Sequence, residues 1–159
     1  MQLYIKQKVF SIKDRFNIYD RNGEVKYKAE GEIFTLGKKL HIYDNNGTEI
    51  IYIKQKLASF LPKYSISVRG NEPVEVVKKF TFIKHAYAVP DWDIEIKGNF
   101  IAHNYQVFRG SQEIARLDKE LFSFGDAYEI DIYNPQDELT VLALILVIDC
   151  CMENSNNAH

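Results

Sequence analysis

The residues in this chain best suited to chemistry are lysines. Lys54 and Lys56 are two apart and would share a strand face, with Lys63 following after a short connection, while Lys78, Lys79 and Lys84 form a second group. Grouped ammonium ions let one phosphate meet more than one amine, so both groups are candidate sites for an anion or a lipid headgroup. Only Arg15 and Arg69 lie near them in sequence, which leaves little of the bidentate recognition that arginine supplies. The competing reading is a set of solvated lysines on exposed strands.

Catalytic constellations are thin. His41, His85, His103 and His159 sit in separate segments without HxxxH or HExxH spacing, so no metal site is expected from them. A serine nucleophile elbow would read Gly-x-Ser-x-Gly, and Ser123-Phe124-Gly125 does not match it. Cys150 and Cys151 are adjacent, with Asp149 and Glu153 as acidic neighbours; that is the wrong sign for lowering a thiol pKa, so they read as buried structural thiols. Asp20-Arg21-Asn22-Gly23 and Asp44-Asn45-Asn46-Gly47 resemble calcium loops only superficially, because their glycines come too early and Gly31 and Gln55 stand where the closing acid belongs. Asp91, Asp93 and Glu95 would project from one strand face opposite Trp92, Ile94 and Ile96. They could collect a cation, but a solvated face is favoured.

The elements that must position these residues are mostly strands. Phe16-Asn17-Ile18-Tyr19-Asp20-Arg21-Asn22-Gly23 returns as Leu40-His41-Ile42-Tyr43-Asp44-Asn45-Asn46-Gly47. Tyr64–Asn71 and Tyr105–Ser111 are looser copies. Each couples alternating apolar residues to a turn of Asn-Gly or Arg-Gly type, which tolerates the positive φ of tight hairpins, so each reads as strand, turn, strand. Alternation around Phe80 and Phe82, Ile94 and Ile96, and Tyr128, Ile130 and Ile132 adds more, for roughly eleven or twelve strands. A sheet of that many strands tends to curl, and closure removes its edges.

Leu139–Ile148, LTVLALILVI, is the one unbroken apolar run. As a helix it would be apolar on every face, so lipid or protein must surround it. Ten residues at about 1.5 Å each cover roughly half of a ~30 Å hydrocarbon layer. Asn134 as N-cap, Pro135 at the first helical position, and Asp137 with Glu138 in the first turn mark a soluble-type entrance. The expectation is a helix enclosed by protein, with no transmembrane segment. A lipocalin-like barrel, which keeps its interior for a ligand, would leave this helix without a home.

Composition fits a folded domain, with 46% hydrophobic and 26% charged residues. The N-terminal MQLYIKQKVF places charges too close together for a signal peptide, and two adjacent cysteines are no disulfide framework, so a cytoplasmic location is expected. A net charge of −2 argues against nucleic-acid binding. The charge is unevenly spread: lysine and arginine dominate up to residue 70, aspartate and glutamate beyond it. Either the two halves lie side by side and offset each other, or the asymmetry marks a surface for an anionic partner.

Several segments, in this order, carry a family resemblance: Gln7-Lys8-Val9-Phe10-Ser11, Ile18-Tyr19-Asp20 with Gly23, Gly31-Glu32-Ile33-Phe34 leading to Leu40, Asp44 with Gly47, Ile96-Lys97-Gly98-Asn99-Phe100, Asp126-Ala127-Tyr128-Glu129-Ile130, and Leu142–Asp149. Nearly the whole chain resembles the LURP-one-related family, its bacterial YxjI-like branch in particular, within the wider tubby C-terminal-like group that also includes phospholipid scramblases. The resemblance implies a mainly β fold, a closed antiparallel β-barrel of about twelve strands around a central hydrophobic C-terminal α-helix. Residues 1–153 would form this single domain and 154–159 a polar tail. Because tubby proteins bind phosphoinositides and scramblases are linked to lipid movement, the resemblance raises lipid or protein binding as a function, although fold alone does not imply function.

The expectation is therefore a non-enzymatic binding or scaffold domain without cofactor or metal, recognising a protein partner or an anionic phospholipid headgroup. The alternative is a small-ligand carrier or enzyme whose pocket lies at a barrel mouth, with Tyr105, His103 and Asp126 converging from loops.

Overall fold

A computed structural model describes residues 1–6, 15–32, 35–58, 63–79, 86–99, 102, 104–120 and 127–156. Twelve strands appear in chain order: β1 (Gln2–Lys6), β2 (Arg15–Asp20), β3 (Val25–Gly31), β4 (Lys39–Tyr43), β5 (Glu49–Lys56), β6 (Lys63–Val68), β7 (Val74–Lys79), β8 (Ala86–Val89), β9 (Ile94–Asn99), β10 (Asn104–Arg109), β11 (Gln112–Glu120) and β12 (Ala127–Ile132). Each pairs antiparallel with its sequence neighbours, and β1 pairs with β12, so the sheet closes into a barrel. The expected Phe80–Phe82 strand lies outside the described residues.

Period-two alternation turns one face of every strand inward. Leu3 and Ile5, Leu40 and Ile42, Ile51 and Ile53, Tyr64 and Ile66, and Ile94 and Ile96 are buried there, while intervening residues such as His41, Tyr52 and Lys54 face out. Helix α1 (Glu138–Asn156) fills the interior, with every residue from Val141 to Ile148 buried. Barrel and helix each supply what the other lacks: the helix has no polar face to show water, and the wall has no other apolar surface to cover. Among the described residues, no helix is long and apolar enough to cross a membrane.

The barrel has two unlike ends. At the turn end, strands are joined through residues 21–24, 44–48, 69–73, 90–93 and 110–111, and α1 begins there. The Asp20 carboxylate accepts from the backbone N–H of Asn22 and Glu24 at 2.8 and 3.0 Å, and the Asp44 carboxylate accepts from Asn46 and Thr48, both at 2.9 Å. Gly23 and Gly47 both have φ +80°, so the two repeat copies form one kind of Asx-stabilised turn. At the loop end, strands are joined through residues 7–14, 32–38, 57–62, 80–85, 100–103 and 121–126, and α1 ends there.

Two local expectations change. Pro135–Asp137 form a 3₁₀ turn rather than the first α-helical turn, with the Asn134 side chain accepting from the Gln136 N–H at 3.0 Å; α1 proper starts at Glu138. Asp91, Asp93 and Glu95 do not share a strand face. Pro90–Trp92 is a 3₁₀ turn, Asp93 is left-handed at φ +52°, and β9 begins only at Ile94. Proline, with φ already set, starts that turn and interrupts the alternation.

The helix entrance is tied to the wall by charge. Arg109 Nη1 donates to Asp137 Oδ1 at 2.6 Å. Lys26 Nζ lies 2.6 Å from Glu138 Oε1, which also accepts from the Tyr27 hydroxyl at 2.8 Å. Burial, and then Glu138, pushes the Tyr27 phenol pKa up. Carboxylates at a helix N-terminus complement the macrodipole; nearer the other end, Lys38 Nζ donates to the Cys150 carbonyl at 3.1 Å.

Candidate functional site

Lys54, Lys56 and Lys63 do come together. The register sets Tyr52 opposite Ser67, Lys54 opposite Ser65, Lys56 opposite Lys63 and, one strand further, Ser65 opposite Glu75. These outward side chains of β5, β6 and β7 form part of an outer-wall concavity of about 390 Å³ lined by Tyr52, Lys54, Lys56, Ser65, Ser67, Pro73 and Glu75. Lys63 stands at its edge.

Glu75 decides which amines are available. It is bonded to Lys56 through one carboxylate oxygen and lies 3.8 Å from Lys63 through the other. The Lys56 hydrogen bond holds its pKa below the usual carboxylate range. Lys54 has no ion pair among the described residues and is exposed beside Ser65, whose hydroxyl makes only a long 3.5 Å contact with the Lys54 carbonyl. That hydroxyl can rotate toward a ligand. Ser67 is more committed, donating to the Asn71 carbonyl at 2.7 Å. Chemically, the concavity offers an unpaired ammonium, a rotatable hydroxyl and the Tyr52 ring.

The second lysine group does not assemble. Lys78 lies on the inward-facing side of β7 with Val74 and Val76, where its charge acts on Cys151. Lys79 points outward and bonds Glu95, which Lys97 also contacts at 2.8 Å. Those two lysines, Lys79 first, lower the Glu95 pKa to about 2. Adjacent strand residues face opposite ways, so Lys78 and Lys79 cannot serve one ligand. Lys84 lies outside the described residues.

A neighbouring cluster escaped the sequence reading. His41 Nδ1 is 2.6 Å from Glu49 and Nε2 is 2.8 Å from Glu32, which also accepts from Lys39 at 3.0 Å. Its ring stacks on Tyr52 with centroids 4.7 Å apart, so the cluster abuts the concavity. Burial opposes protonation, but the hydrogen bonds to Glu49 and Glu32 outweigh it and raise the His41 pKa. A carboxylate on each ring nitrogen favours the protonated imidazole. The only signal in the sequence was two glutamates at similar distances on either side of His41.

Other candidates take structural positions. Cys150 and Cys151 are buried, and burial pushes the Cys151 thiol up to about 12 despite an opposing Tyr87 hydrogen bond. Tyr105 is fully buried on the inner face of β10, its pKa raised by burial first and then by Asp149, so it does not line an open mouth. His103 and Asp126 lie outside the described residues, as do His85, His159 and Ser123-Phe124-Gly125. Among the described residues, no group of His, Cys, Asp and Glu could hold a metal ion.

The charge asymmetry is laid out around the barrel. Because strands follow sequence order, β2–β6 and β9–β12 occupy different sides and meet only across β1 and β7–β8. Opposite the lysine wall, Asp118 pairs in register with Glu129, Arg116 pairs with Asp131, and the Gln2 amide donates to Glu129 and Asp131 at 2.6 and 3.0 Å. The halves therefore do not interleave.

Comparison with known proteins matches this architecture. The LURP-one-related family profile matches residues 1–149. An uncharacterized protein of Bacillus subtilis (strain 168), YxjI, is 36% identical over 157 residues, covering 99% of this chain and 97% of that protein. Protein LURP-one-related 15 of Arabidopsis thaliana is 20% identical over 171 residues, covering 94% of this chain and 79% of that one. An X-ray structure of an Arabidopsis thaliana protein superposes with a TM-score of 0.68 at 17% identity over 93% of this chain and 88% of that one, a likeness of fold alone.

Proposed function

Starting from a chain that belongs to the LURP-one-related family, we propose that it is a cytoplasmic, non-enzymatic binding domain that recognises a phosphate-bearing anionic headgroup on its outer wall. One observation carries the reading: Lys54, without a carboxylate partner among the described residues, stands beside the rotatable Ser65 hydroxyl in a concavity of about 390 Å³. Lys56 and Lys63 share the single carboxylate of Glu75, so this patch keeps net positive charge. An ammonium and a hydroxyl side by side can each donate to one phosphate.

The non-enzymatic character is supported by the residues that ordinarily do catalysis. His41 has both ring nitrogens engaged by carboxylates and offers no free base. Cys151 is held far from its thiolate by burial. The helix occupies the barrel interior, where a carrier would hold its ligand.

The test is an amide-resolved NMR titration of the chain with glycerophosphoserine, a soluble phospholipid headgroup. Shifts should concentrate at Lys54, Ser65 and Ser67 and disappear in Lys54→Glu. No shift at these residues, or shifts elsewhere that survive the substitution, would refute the assignment.

A further inference from the structure

We infer that the loop-end rim displaying Leu36 and Leu57 seats on an anionic lipid bilayer. This rests on the headgroup reading of the lysine wall and names the form in which the headgroup is met.

Among the described residues, Leu36 is 87% exposed and Leu57 is 57% exposed, while every other leucine there is buried or half-buried. Both belong to the loop end, in the β3–β4 and β5–β6 connections, and Leu57 lies against the residue that follows Leu36: a Cβ at Gly37 would sit 3.0 Å from Leu57 Cδ2. The segment bearing Leu36 is built. The Thr35 hydroxyl donates to the Gly37 carbonyl at 3.0 Å, the Lys38 N–H donates to Gln55 Oε1 at 3.0 Å, and the Gln55 N–H donates to the Lys38 carbonyl at 2.8 Å. Gly37 at φ +80° takes the left-handed conformation this turn needs. A leucine held out to water by a fixed turn is presented to something.

The surroundings say what. Lys39 follows the turn, Lys54 lies opposite Lys39 in register, and Lys56 lies opposite Lys63 beside Leu57. Among the described residues, the carboxylates paired with these four cations are Glu32, on Lys39, and Glu75, shared by Lys56 and Lys63. Two apolar prongs within a cationic rim complement an anionic bilayer, where acyl chains lie beneath a layer of phosphates. A free phosphate would leave the leucines unused.

The experiment is co-flotation of the full chain with vesicles of phosphatidylcholine alone and of phosphatidylcholine mixed with phosphatidylserine, comparing wild type, Leu36→Gln, and Leu36→Gln with Leu57→Gln. Glycerophosphoserine binding is measured in parallel. The wild type should bind the mixed vesicles. The double variant should lose roughly tenfold or more in vesicle affinity while keeping its affinity for the soluble headgroup. Leu36→Gln, a change at a side chain almost wholly in water, should lose part of it with an unchanged melting temperature. Vesicle binding that ignores both leucines overturns the inference, as does a wild type that binds the soluble headgroup but not vesicles; the wall assignment survives either result. A rim that captures polyglutamate in a leucine-dependent way while ignoring vesicles would belong to an acidic protein partner, also against the inference. Loss of headgroup binding in every form removes the wall assignment and this inference together.

Discussion

At the turn end of the barrel, carboxylates from the helix entrance reach Arg109, Lys26 and Tyr27 on the wall, and short Asx-stabilised turns close the strands. At the loop end, Lys38 donates to the Cys150 carbonyl, Tyr87 and Cys151 are hydrogen-bonded, and Leu36 and Leu57 stand in water. The difference separates two tasks. On the proposed reading, one end and the interior fix the fold, and the other end with the adjoining lysine wall serves recognition.

That division should show in mutational cost. Leu144→Ala, in the fully buried stretch midway along α1, removes packing common to all sides of the barrel and should cost about 2–5 kcal/mol by urea denaturation. Glu138→Ala leaves the Tyr27 hydroxyl without its acceptor. Lys26 is partly exposed and can turn to water, so the expected loss is about 1–3 kcal/mol. Lys38→Met at the opposite end removes a part-buried donor to the Cys150 carbonyl and should cost about 1 kcal/mol or less. Equal losses for Glu138→Ala and Lys38→Met would break the contrast between the ends.

The smallest effect is a pH dependence. His41 is raised above its ordinary 6.5, so the stability from its contacts with Glu32 and Glu49 is fully present below that value and fades as pH rises through the folded pKa. Melting temperature should therefore fall more steeply above neutral pH in the wild type than in His41→Gln. Parallel curves would remove the clamp from the account.

The fold was legible in the sequence because its signals are local. The Asp and Asn-Gly turns of Asp20–Gly23 and Asp44–Gly47 carry their own hydrogen bonds, and LTVLALILVI has no polar face, so a surrounding wall was required. The site was half legible. Lys54, Lys56 and Lys63 share a wall by simple alternation, but which amines stay unpaired depended on Glu75, supplied by β7 across the register. The grouping of Lys78 with Lys79 ignored the same alternation, since neighbours on a strand face opposite ways. The His41 clamp joins residues from β4, β5 and the β3–β4 connection, three consecutive pieces of chain whose side chains meet only once the register of the two hairpins is fixed.

The most direct test of the central claim is a titration with phosphatidylserine-containing vesicles of the wild type against Lys54→Glu. This exposed substitution should change stability by no more than about 0.5 kcal/mol. The account predicts that the wild type binds and that Lys54→Glu, equally folded, does not. Equal binding by the two proteins would contradict it, as would a wild type that binds neither these vesicles nor glycerophosphoserine.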